Sequence, residues 1–230
     1  MASSAPGLIS NTTSVITPPV ALPVQSALSC FVQRLVEILV AAVALVVTMP
    51  IMLVVGWIIR RGTPGPALFV QYRTGQDEHP FRFVKFRTLY ADARQRWPEL
   101  YRYNYTRAQI DSLVFKREAD PRVTPQGQNL RKSTIDELPN FWNVLTGDMA
   151  LVGPRPEIPE MLRYYQGEAR LKFRVRPGVT GLAQISGRGR LSFHETARLD
   201  VHYVKNRSLL FDLKILVLTV YKIVVRDGAF

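Results

Sequence analysis

One stretch of the chain decides its fold: Ile38-Leu-Val-Ala-Ala-Val-Ala-Leu-Val-Val-Thr-Met-Pro-Ile-Met-Leu-Val-Val-Gly-Trp-Ile-Ile59. It contains no charged side chain. A straight helix of this length would measure roughly 33 Å, enough to cross a bilayer core of roughly 30 Å. Pro50 interrupts the stretch, because a proline inside a helix removes a backbone hydrogen bond and bends the axis. The stretch therefore predicts a membrane helix with a bend near its middle.

The flanking charges indicate how this helix enters the membrane. Arg34 precedes it and two arginines, Arg60 and Arg61, follow it, whereas a single-pass helix normally has its positive excess on one side only. This pattern favours a re-entrant helix over residues 30–61 that breaks at Pro50 and returns to the face it left. A straight span with a tolerated proline kink remains the alternative.

The charge of the chain lies outside this apolar stretch. Only Arg34 and Glu37 precede Arg60, and they cancel, so the net charge of +12 belongs to the residues from Arg60 onward. Hydrophobic residues make up 47% and charged residues 21%, which excludes a collagen-like, disordered or disulfide-stapled protein. The basic balance is typical of proteins that bind nucleic acid, an anionic membrane or a phosphorylated substrate. Cys30 is the only cysteine, so a metal site within one chain would need oxygen ligands.

The remaining segments divide the chain into a tail, the membrane helix and one further domain. Residues 1–29 carry no charged side chain and contain four prolines, which predicts a disordered tail. Within residues 62–230, two short β-type runs at 67–73 and 80–87 flank a turn and predict a β-hairpin. A charged, aromatic insert at 90–116 is predicted to be helical and solvent-facing. We therefore predict an α/β fold that is mostly helical.

The C-terminal segment 209–225 is apolar except for Asp212, Lys214 and Lys222. Three charges make it a poor spanning helix, but they suit an amphipathic helix that lies in the membrane interface. Burial in the core of the domain is an alternative of equal weight.

Two adjacent carboxylates, Asp136 and Glu137, are the centre of the candidate site. They follow Ser133 and Thr134, so the structural interpretation is a capping box at the start of a helix that Gly147 ends. The functional interpretation gives the two carboxylates a role in catalysis. Two carboxylates could hold a hard divalent cation, and one of them could attack a phosphorus whose charge the cation and nearby arginines neutralise.

Phosphate-binding side chains for this chemistry are present elsewhere in the chain. Arg155 lies in a stiff Gly-Pro-Arg-Pro turn, which would preorganise its planar fork for phosphate oxygens. Two Gly-containing loops at 176–181 and 184–189 could meet a nucleotide diphosphate with their backbone amides. The candidate phosphate contacts on these grounds are Lys85, Arg87, Arg155, Arg176 and Arg188.

Five motifs occur in a specific order: Lys-Phe-Arg-Thr (85–88), Asp-Glu-Leu-Pro (136–139), Gly-Asp-Met-Ala-Leu-Val-Gly-Pro-Arg-Pro (147–156), Arg-Pro-Gly-Val-Thr-Gly (176–181) and Leu-Asp-Val-His-Tyr-Val-Lys-Asn (199–206). Together with the broken apolar segment, they resemble the bacterial sugar transferase family, the monotopic polyprenyl-phosphate phosphoglycosyl transferases. The resemblance extends from about Arg34 to the C-terminus. The insert and the closing Gly-Ala-Phe are similar to the hexose-transferring branch that initiates exopolysaccharide synthesis.

The resemblance implies an enzyme on the cytoplasmic face of the bacterial inner membrane. It would transfer a sugar 1-phosphate, from a hexose such as galactose or glucose, from a UDP-sugar to polyprenyl phosphate. Asp136 matches the family's nucleophile, which attacks the β-phosphorus, expels UMP and holds the sugar phosphate. Glu137 matches the neighbouring acid that, with Asp136, places Mg²⁺. Further positions that match family motifs and are implied to bind substrate are Lys85, Arg87, Arg131, Arg155, Arg176, Gln184, Arg188 and Asp200.

The chain departs from the family at the bend of the membrane helix. The family often has a serine just before the bend proline, where its hydroxyl can bond the carbonyl that the proline leaves without a donor. This chain has Met49 there. Thr48, one residue earlier, is the candidate to replace the serine.

Two other functions compete with this interpretation. A basic, membrane-tethered nucleic-acid-binding protein would use the charge of +12, but no recognition motif is present, and we predict no nucleic-acid partner. A non-catalytic scaffold would use Asp136 and Glu137 only as helix caps. The sequence leaves open a homodimer, the identity of the hexose and the length of the polyprenyl chain.

Overall fold

The computed structural model of the protein describes residues 26–114, 120–187 and 190–225. Most of the predicted tail, Arg188 and the closing Gly-Ala-Phe lie outside the described residues. The helices are α1 Ala27–Gly62, α2 Ala93–Arg96, α3 Arg107–Asp111, α4 Pro125–Ser133, α5 Asn140–Thr146, α6 Leu182–Gly187, α7 Phe193–Asn206 and α8 Leu209–Val224. The strands are β1 Leu68–Thr74, β2 Pro80–Phe86, β3 Ala150–Val152 and β4 Gly178–Thr180.

Helix α1 is a single helix of 36 residues that continues through Pro50. Ser26 caps its start, because the Ser26 hydroxyl accepts a hydrogen bond from the backbone N–H of Ser29. Only 11% of its most apolar 18-residue window is buried, whereas the core helix of a soluble protein would be mostly covered. Such an exposed apolar surface is typical of a helix in lipid. Since α1 is not divided into two arms, the re-entrant bend stays a prediction.

Thr48 does not replace the missing serine in the predicted way. Its hydroxyl donates a hydrogen bond to the carbonyl oxygen of Ala44 at 2.6 Å. The carbonyl that Pro50 leaves without a donor is that of Val46, four residues before the proline. A hydroxyl that bonds its own i−4 carbonyl tends to bend a helix slightly, so Thr48 acts on the turn before the proline.

Strands β1 and β2 pair antiparallel, from Leu68 opposite Phe86 to Thr74 opposite Pro80, which confirms the predicted hairpin. The side-chain amide of Asn143 in α5 fixes the outer edge of β2. It donates to the carbonyl oxygen of Arg82 at 2.7 Å and accepts from the backbone N–H of Val84 at 3.1 Å. The hairpin is thereby held against α5, the helix that follows the candidate carboxylates.

Within the described ranges, three apolar clusters support the domain. The main core joins the hairpin, α5, β3, α7 and α8, and Ala41 of α1 enters it. A small cluster packs Val55 and Ile59 of α1 against Phe86 and Leu130. Both halves of α1 therefore contact the same domain. The third cluster lies under the insert, with Ile110, Met161, Tyr165, Phe173, Phe193 and others.

The insert at 90–116 differs from its prediction as a solvent-facing helix. Its described part, up to residue 114, contains only the two short helices α2 and α3 and a 3₁₀ turn at Pro98–Tyr101. Ile110 is buried, and the backbone N–H of Tyr105 donates to the hydroxyl of Tyr164 at 2.7 Å. Aromatic side chains that looked exposed in the sequence instead pack on the domain, and Pro98 prevents a continuous helix.

Helix α8 has one packed face and one exposed face. Asp212 and Ile215 are buried, and the hydroxyls of Thr219 and Thr180 lie 2.8 Å apart. The exposed side is a stripe of large apolar residues at helical spacing: Leu210, Leu213, Val217, Val220 and Val224. The helix thus belongs partly to the core and also offers an apolar face to its surroundings, which favours the predicted interfacial position.

Candidate active site

The chain turns sharply where α4 ends, and this turn holds Asp136 and Glu137. Thr134 adopts a left-handed conformation, with φ of 58°, and ends α4. The carboxylates lie in the 3₁₀ turn Ile135–Glu137 that follows, before α5. The hydroxyls of Ser133 and Thr134 donate to carbonyls of residues 129, 130 and 133, and neither caps α5. The capping-box interpretation of the carboxylate pair is therefore wrong.

The two carboxylates differ in what they contact. Oε1 of Glu137 forms an ion pair with Nη2 of Arg155 at 2.6 Å. Asp136 is only 6% exposed, and its carboxylate has no hydrogen-bond donor among the described residues. A buried carboxylate without a partner is unusual. Its oxygens are available to a ligand or to a reacting atom.

Three cationic side chains from separate elements act electrostatically on this carboxylate. Lys85 comes from β2, Arg131 from the last turn of α4, and Arg155 from the loop after β3. Nε of Arg131 donates to the hydroxyl of Thr88 at 3.1 Å, which orients the guanidinium. Each of the three cations lowers the pKa of Asp136, although none of them forms an ion pair with it among the described residues. The structure thus brings together five of the predicted residues.

Burial and Glu137 together shift the pKa of Asp136 upward. Loss of solvent is the largest cause, and the negative charge of Glu137 is the next. The three cations oppose this shift, and the resulting pKa of Asp136 is about 6. Burial also favours protonation of Glu137, but Arg155 and Lys85 outweigh it, so the pKa of Glu137 lies below its ordinary value. At neutral pH Asp136 is ionised and basic for a carboxylate, as a nucleophile requires.

The cations have perturbed pKa values of their own. Burial lowers the pKa of Lys85 to about 8; Asp136 opposes this shift, and Arg131 and other arginines reinforce it. Burial likewise lowers the pKa of Arg131, although an arginine remains charged. Lys85 is therefore the one cation in this group whose charge changes within the physiological range.

Arg73 is a site residue that the sequence analysis missed. It lies on β1, and the register places it on the same hairpin face as Lys85, because Phe69 pairs with Lys85 and Arg73 with Phe81. Nη1 of Arg73 is 3.4 Å from the carbonyl oxygen of Pro156, and its buried Nε has no hydrogen-bond partner. The period of two in the hairpin is the signal that could have identified it.

Two glycine motifs place the Arg155 loop. Strands β3 and β4 pair in parallel, with Ala150 opposite Gly178, and this second sheet was not predicted. A Cβ on Gly178 would collide with the backbone nitrogen of Gly153, and a Cβ on Gly153 with the carbonyl oxygen of Arg176. The two loops can approach this closely only because both positions are glycine.

Three other predicted substrate residues have protein partners instead. Arg87 is buried and donates to the carbonyl oxygens of Thr63 and Pro64 at 2.9 and 2.7 Å, which holds the turn after α1. Arg176 pairs with the buried Glu37 of α1 at 2.8 Å. Asp200 is 1% exposed and pairs with Lys172 at 2.9 Å. These contacts anchor and position the domain, and a direct contact of the three side chains with substrate stays a prediction.

The remaining predictions concern two side chains, Gln184 and Arg188, and a bound Mg²⁺. Gln184 lies on α6, where both polar atoms of its side chain are buried and have no partner among the described residues. Arg188 lies outside the described residues. No group of three or more His, Cys, Asp or Glu able to hold a metal occurs in the described part of the chain. Mg²⁺ often takes one or two carboxylates plus substrate phosphates. Asp136 and the second oxygen of Glu137 fit that arrangement.

Asp136→Asn is expected to make the substrate-free protein more stable. Because the pKa of Asp136 rises on folding from 3.8 to about 6, ionised Asp136 opposes folding by ~3 kcal/mol at pH 7. The neutral amide removes this cost, so the variant should have a Tm several degrees higher at pH 7 in detergent with EDTA. The gain should shrink as the pH falls through 6 and vanish below about 4, where the wild-type carboxyl is protonated in both states.

The control for this measurement is Asp77→Asn. Asp77 is exposed and has a φ of 49°, a conformation that asparagine also tolerates. Its Tm should match that of the wild type at every pH. If Asp136→Asn has a Tm equal to or lower than that of the wild type at pH 7, burial does not raise the pKa of Asp136.

Comparisons with known proteins relate the chain to a family of sugar transferases. The profile of the bacterial sugar transferase family matches residues 28–226. The chain is 43% identical over 166 residues to the galactosyl transferase CpsE of Streptococcus agalactiae, covering 72% of this chain and 36% of the relative. It is 35% identical to the undecaprenyl-phosphate galactose phosphotransferase of Salmonella typhimurium, covering 88% of this chain and 42% of that protein.

A relative of similar length is the exopolysaccharide production protein ExoY of Sinorhizobium fredii. It is 35% identical over 198 residues, which cover 86% of this chain and 88% of the relative. The chain thus spans less than half of CpsE and of the Salmonella protein but nearly the full length of ExoY. On the profile match and this relative, the chain belongs to the bacterial sugar transferase family.

Proposed function

We propose that the protein transfers a sugar 1-phosphate from a UDP-sugar to polyprenyl phosphate, with release of UMP. The observation that carries this proposal is the buried, unpartnered carboxylate of Asp136 between three cationic side chains. Relatives named as galactosyl transferase and as undecaprenyl-phosphate galactose phosphotransferase support a hexose, such as galactose or glucose, and an undecaprenyl acceptor. The product would be the first membrane-bound intermediate of an exopolysaccharide or glycoconjugate.

The first step forms a covalent intermediate. An oxygen of Asp136 attacks the β-phosphorus of the UDP-sugar, the bond from that phosphorus to the bridging oxygen breaks, and UMP leaves with the electron pair. The sugar phosphate is then held as an acyl phosphate. Lys85, Arg131 and Arg155 supply positive charge where negative charge develops on the phosphoryl oxygens and the leaving group.

The second step regenerates the enzyme. A phosphate oxygen of the polyprenyl phosphate attacks the same phosphorus, and the bond to Asp136 breaks, which returns a free carboxylate and gives a polyprenyl-diphosphate sugar. Mg²⁺, when bound, supplies charge that neutralises the diphosphate. Because donor and acceptor use one carboxylate in turn, the scheme requires ping-pong kinetics.

The exposed apolar surfaces support a place for this site at the membrane. The acceptor lipid cannot leave the bilayer, so the site must lie at headgroup depth. We propose that α1 dips into the inner membrane from the cytoplasmic face, bends at Pro50 and returns, and that α8 lies in the interface. Support comes from the contacts that both halves of α1 make with one domain: Arg34 donates to the carbonyls of Val144 and Leu145, and Val55 and Ile59 join the cluster with Leu130.

Asp136→Asn is expected to abolish the covalent intermediate. Incubation of the wild type with UDP-sugar and Mg²⁺, without lipid acceptor, should add the mass of one sugar phosphate to the intact protein and release one UMP. The amide cannot attack phosphorus, so the variant should show no added mass and lose at least about 1,000-fold in turnover. Asp77→Asn serves as the control and should behave as the wild type. A ternary-complex rate law and no adduct in the wild type would contradict the covalent route.

Lys85→Arg is expected to change the alkaline side of the pH–rate profile. With a pKa of about 8, Lys85 loses its proton above that pH, and wild-type kcat/KM should fall there. Arginine stays charged, so the fall should move past about pH 9 in the variant even if its maximum rate is lower. Lys205→Arg, which changes a surface lysine paired with Glu168, should leave the profile as it is. An unchanged alkaline limb in Lys85→Arg would remove Lys85 from this role.

Cysteine labelling distinguishes a re-entrant helix from a straight span. Cys30 lies near the start of α1. In a double variant that combines Cys30→Ser with Thr63→Cys, the single cysteine lies just after the end of α1. For a re-entrant helix, an impermeant maleimide added outside spheroplasts should label neither protein, and the same reagent should label both in inside-out vesicles. Labelling of one position from outside would establish a straight span and leave the proposed chemistry unaffected.

A further inference from the structure

A cleft of about 400 Å³ lies between the insert and the segment that follows the Arg155 loop. Its lining residues are Arg94, Tyr101, Arg102, Tyr103, Asn104, Pro159, Glu160 and Arg163. The volume falls within the range of small-molecule sites in proteins. Three arginines and two tyrosines against one glutamate make the cleft both cationic and aromatic.

The cleft is built by hydrogen bonds rather than by loose contact. Arg163 donates through Nη2 to the carbonyl oxygen of Tyr103 at 2.6 Å and to Oδ1 of Asn104 at 2.5 Å. The hydroxyl of Tyr164 also donates to the Tyr103 carbonyl, at 2.9 Å. The backbone of Tyr103 is therefore fixed by two donors. The Tyr103 side chain also packs on the third apolar cluster, as that of Tyr105 does, so a change at Tyr103 needs a matched change at Tyr105 as its control.

The positive charge at the cleft is largely uncompensated. Arg94 lies 5.7 Å from the centre of the Tyr101 ring, and Arg122 lies 5.0 Å from the same ring. Arg122 is paired with Asp120, but neither Arg94 nor Arg102 has an ion-pair partner within the described ranges. An anionic ligand with a planar ring would satisfy both features, through guanidinium contacts and through stacking.

The cleft adjoins the catalytic carboxylates. Pro159, on one wall, is four residues beyond Arg155 in the chain, and Arg155 pairs with Glu137. On the other wall is Tyr103. Nη1 of Arg73 lies 3.4 Å from the carbonyl oxygen of Pro156, which stands between Arg155 and Pro159 in the chain. Arg73 thus lies beside the segment that joins Arg155 to the cleft. Burial lowers the pKa of Arg73, and Tyr103 and Glu137 both oppose this shift, which agrees with that position.

We propose that this cleft binds the nucleoside monophosphate half of the nucleotide sugar, with the base stacked on Tyr103 and the α-phosphate directed toward Arg73. This assignment rests on the proposed function and adds to it a location for the leaving UMP. It places the sugar at the Asp136 side of the diphosphate. It also gives the insert a purpose, since the insert supplies one complete wall of the cleft.

Tyr103→Leu is the test, because it removes the ring and leaves the bonded backbone in place. The KM for the UDP-sugar and the inhibition constant of UMP should both rise about tenfold, the loss expected for one stacked base. Turnover at saturating donor and the KM for polyprenyl phosphate should not change. Tyr103→Phe keeps the ring and should behave as the wild type.

Tyr105→Leu is the matched control. Tyr105 belongs to the same insert and packs on the same cluster, but it does not line the cleft. It should leave both constants unchanged. Equal rises in Tyr103→Leu and Tyr105→Leu would reduce the effect to a loosened insert, and a rise only in the KM for polyprenyl phosphate would assign the cleft to a lipid headgroup; either result overturns the proposal.

Direct binding separates this proposal from the proposed function. Calorimetry with UMP and detergent-solubilised protein does not require turnover, and Asp136→Asn should bind UMP while Tyr103→Leu should bind it about tenfold more weakly. If the wild type turns over UDP-sugar but Tyr103→Leu binds UMP normally, only the cleft assignment fails. If the wild type releases no UMP from any UDP-sugar, the proposed function fails, whatever the cleft binds.

Discussion

The ion pair between Glu137 and Arg155 determines how the two adjacent carboxylates differ in pKa and in bonding. It keeps Glu137 ionised, and that negative charge helps to raise the pKa of Asp136. It also engages one carboxylate and leaves its neighbour unpartnered. Two acids of the same kind, adjacent in the chain, thus acquire different properties from their surroundings, the usual way in which proteins separate the roles of paired carboxylates.

This arrangement depends on contacts between distant parts of the chain. Asn143 holds the edge of β2 and so places Lys85, Thr88 orients Arg131, and the close approach of Gly153 and Gly178 places Arg155. Each cation is fixed by a group outside its own element. The carboxylate of Asp136 can therefore experience the positive charge of three side chains without a hydrogen bond to any of them.

The sequence predicted the hairpin and the apolar helix well, because both depend on local periodicity and composition. It also identified the carboxylates and three of the cations around them. For Arg87, Arg176 and Asp200 it predicted substrate contacts, whereas the fold gives each a protein partner. An arginine or aspartate in a motif can serve either purpose. Only the fold shows that Glu37 and Lys172 are those partners for two of them. Arg73 was within reach of the sequence, through the register of the hairpin.

The membrane-facing parts are joined to the domain through a buried polar network. The amide of Gln33 in α1 donates to Asp212 of α8 at 3.0 Å, and Tyr203 of α7 donates to the same carboxylate at 2.7 Å. Polar groups buried at such a junction are costly unless they are bonded, so the network favours one relative placement of α1 and α8. These two helices carry the exposed apolar surfaces. Under the proposed function, their fixed relation to the core that supports Asp136 would hold the carboxylate at one depth in the membrane interface.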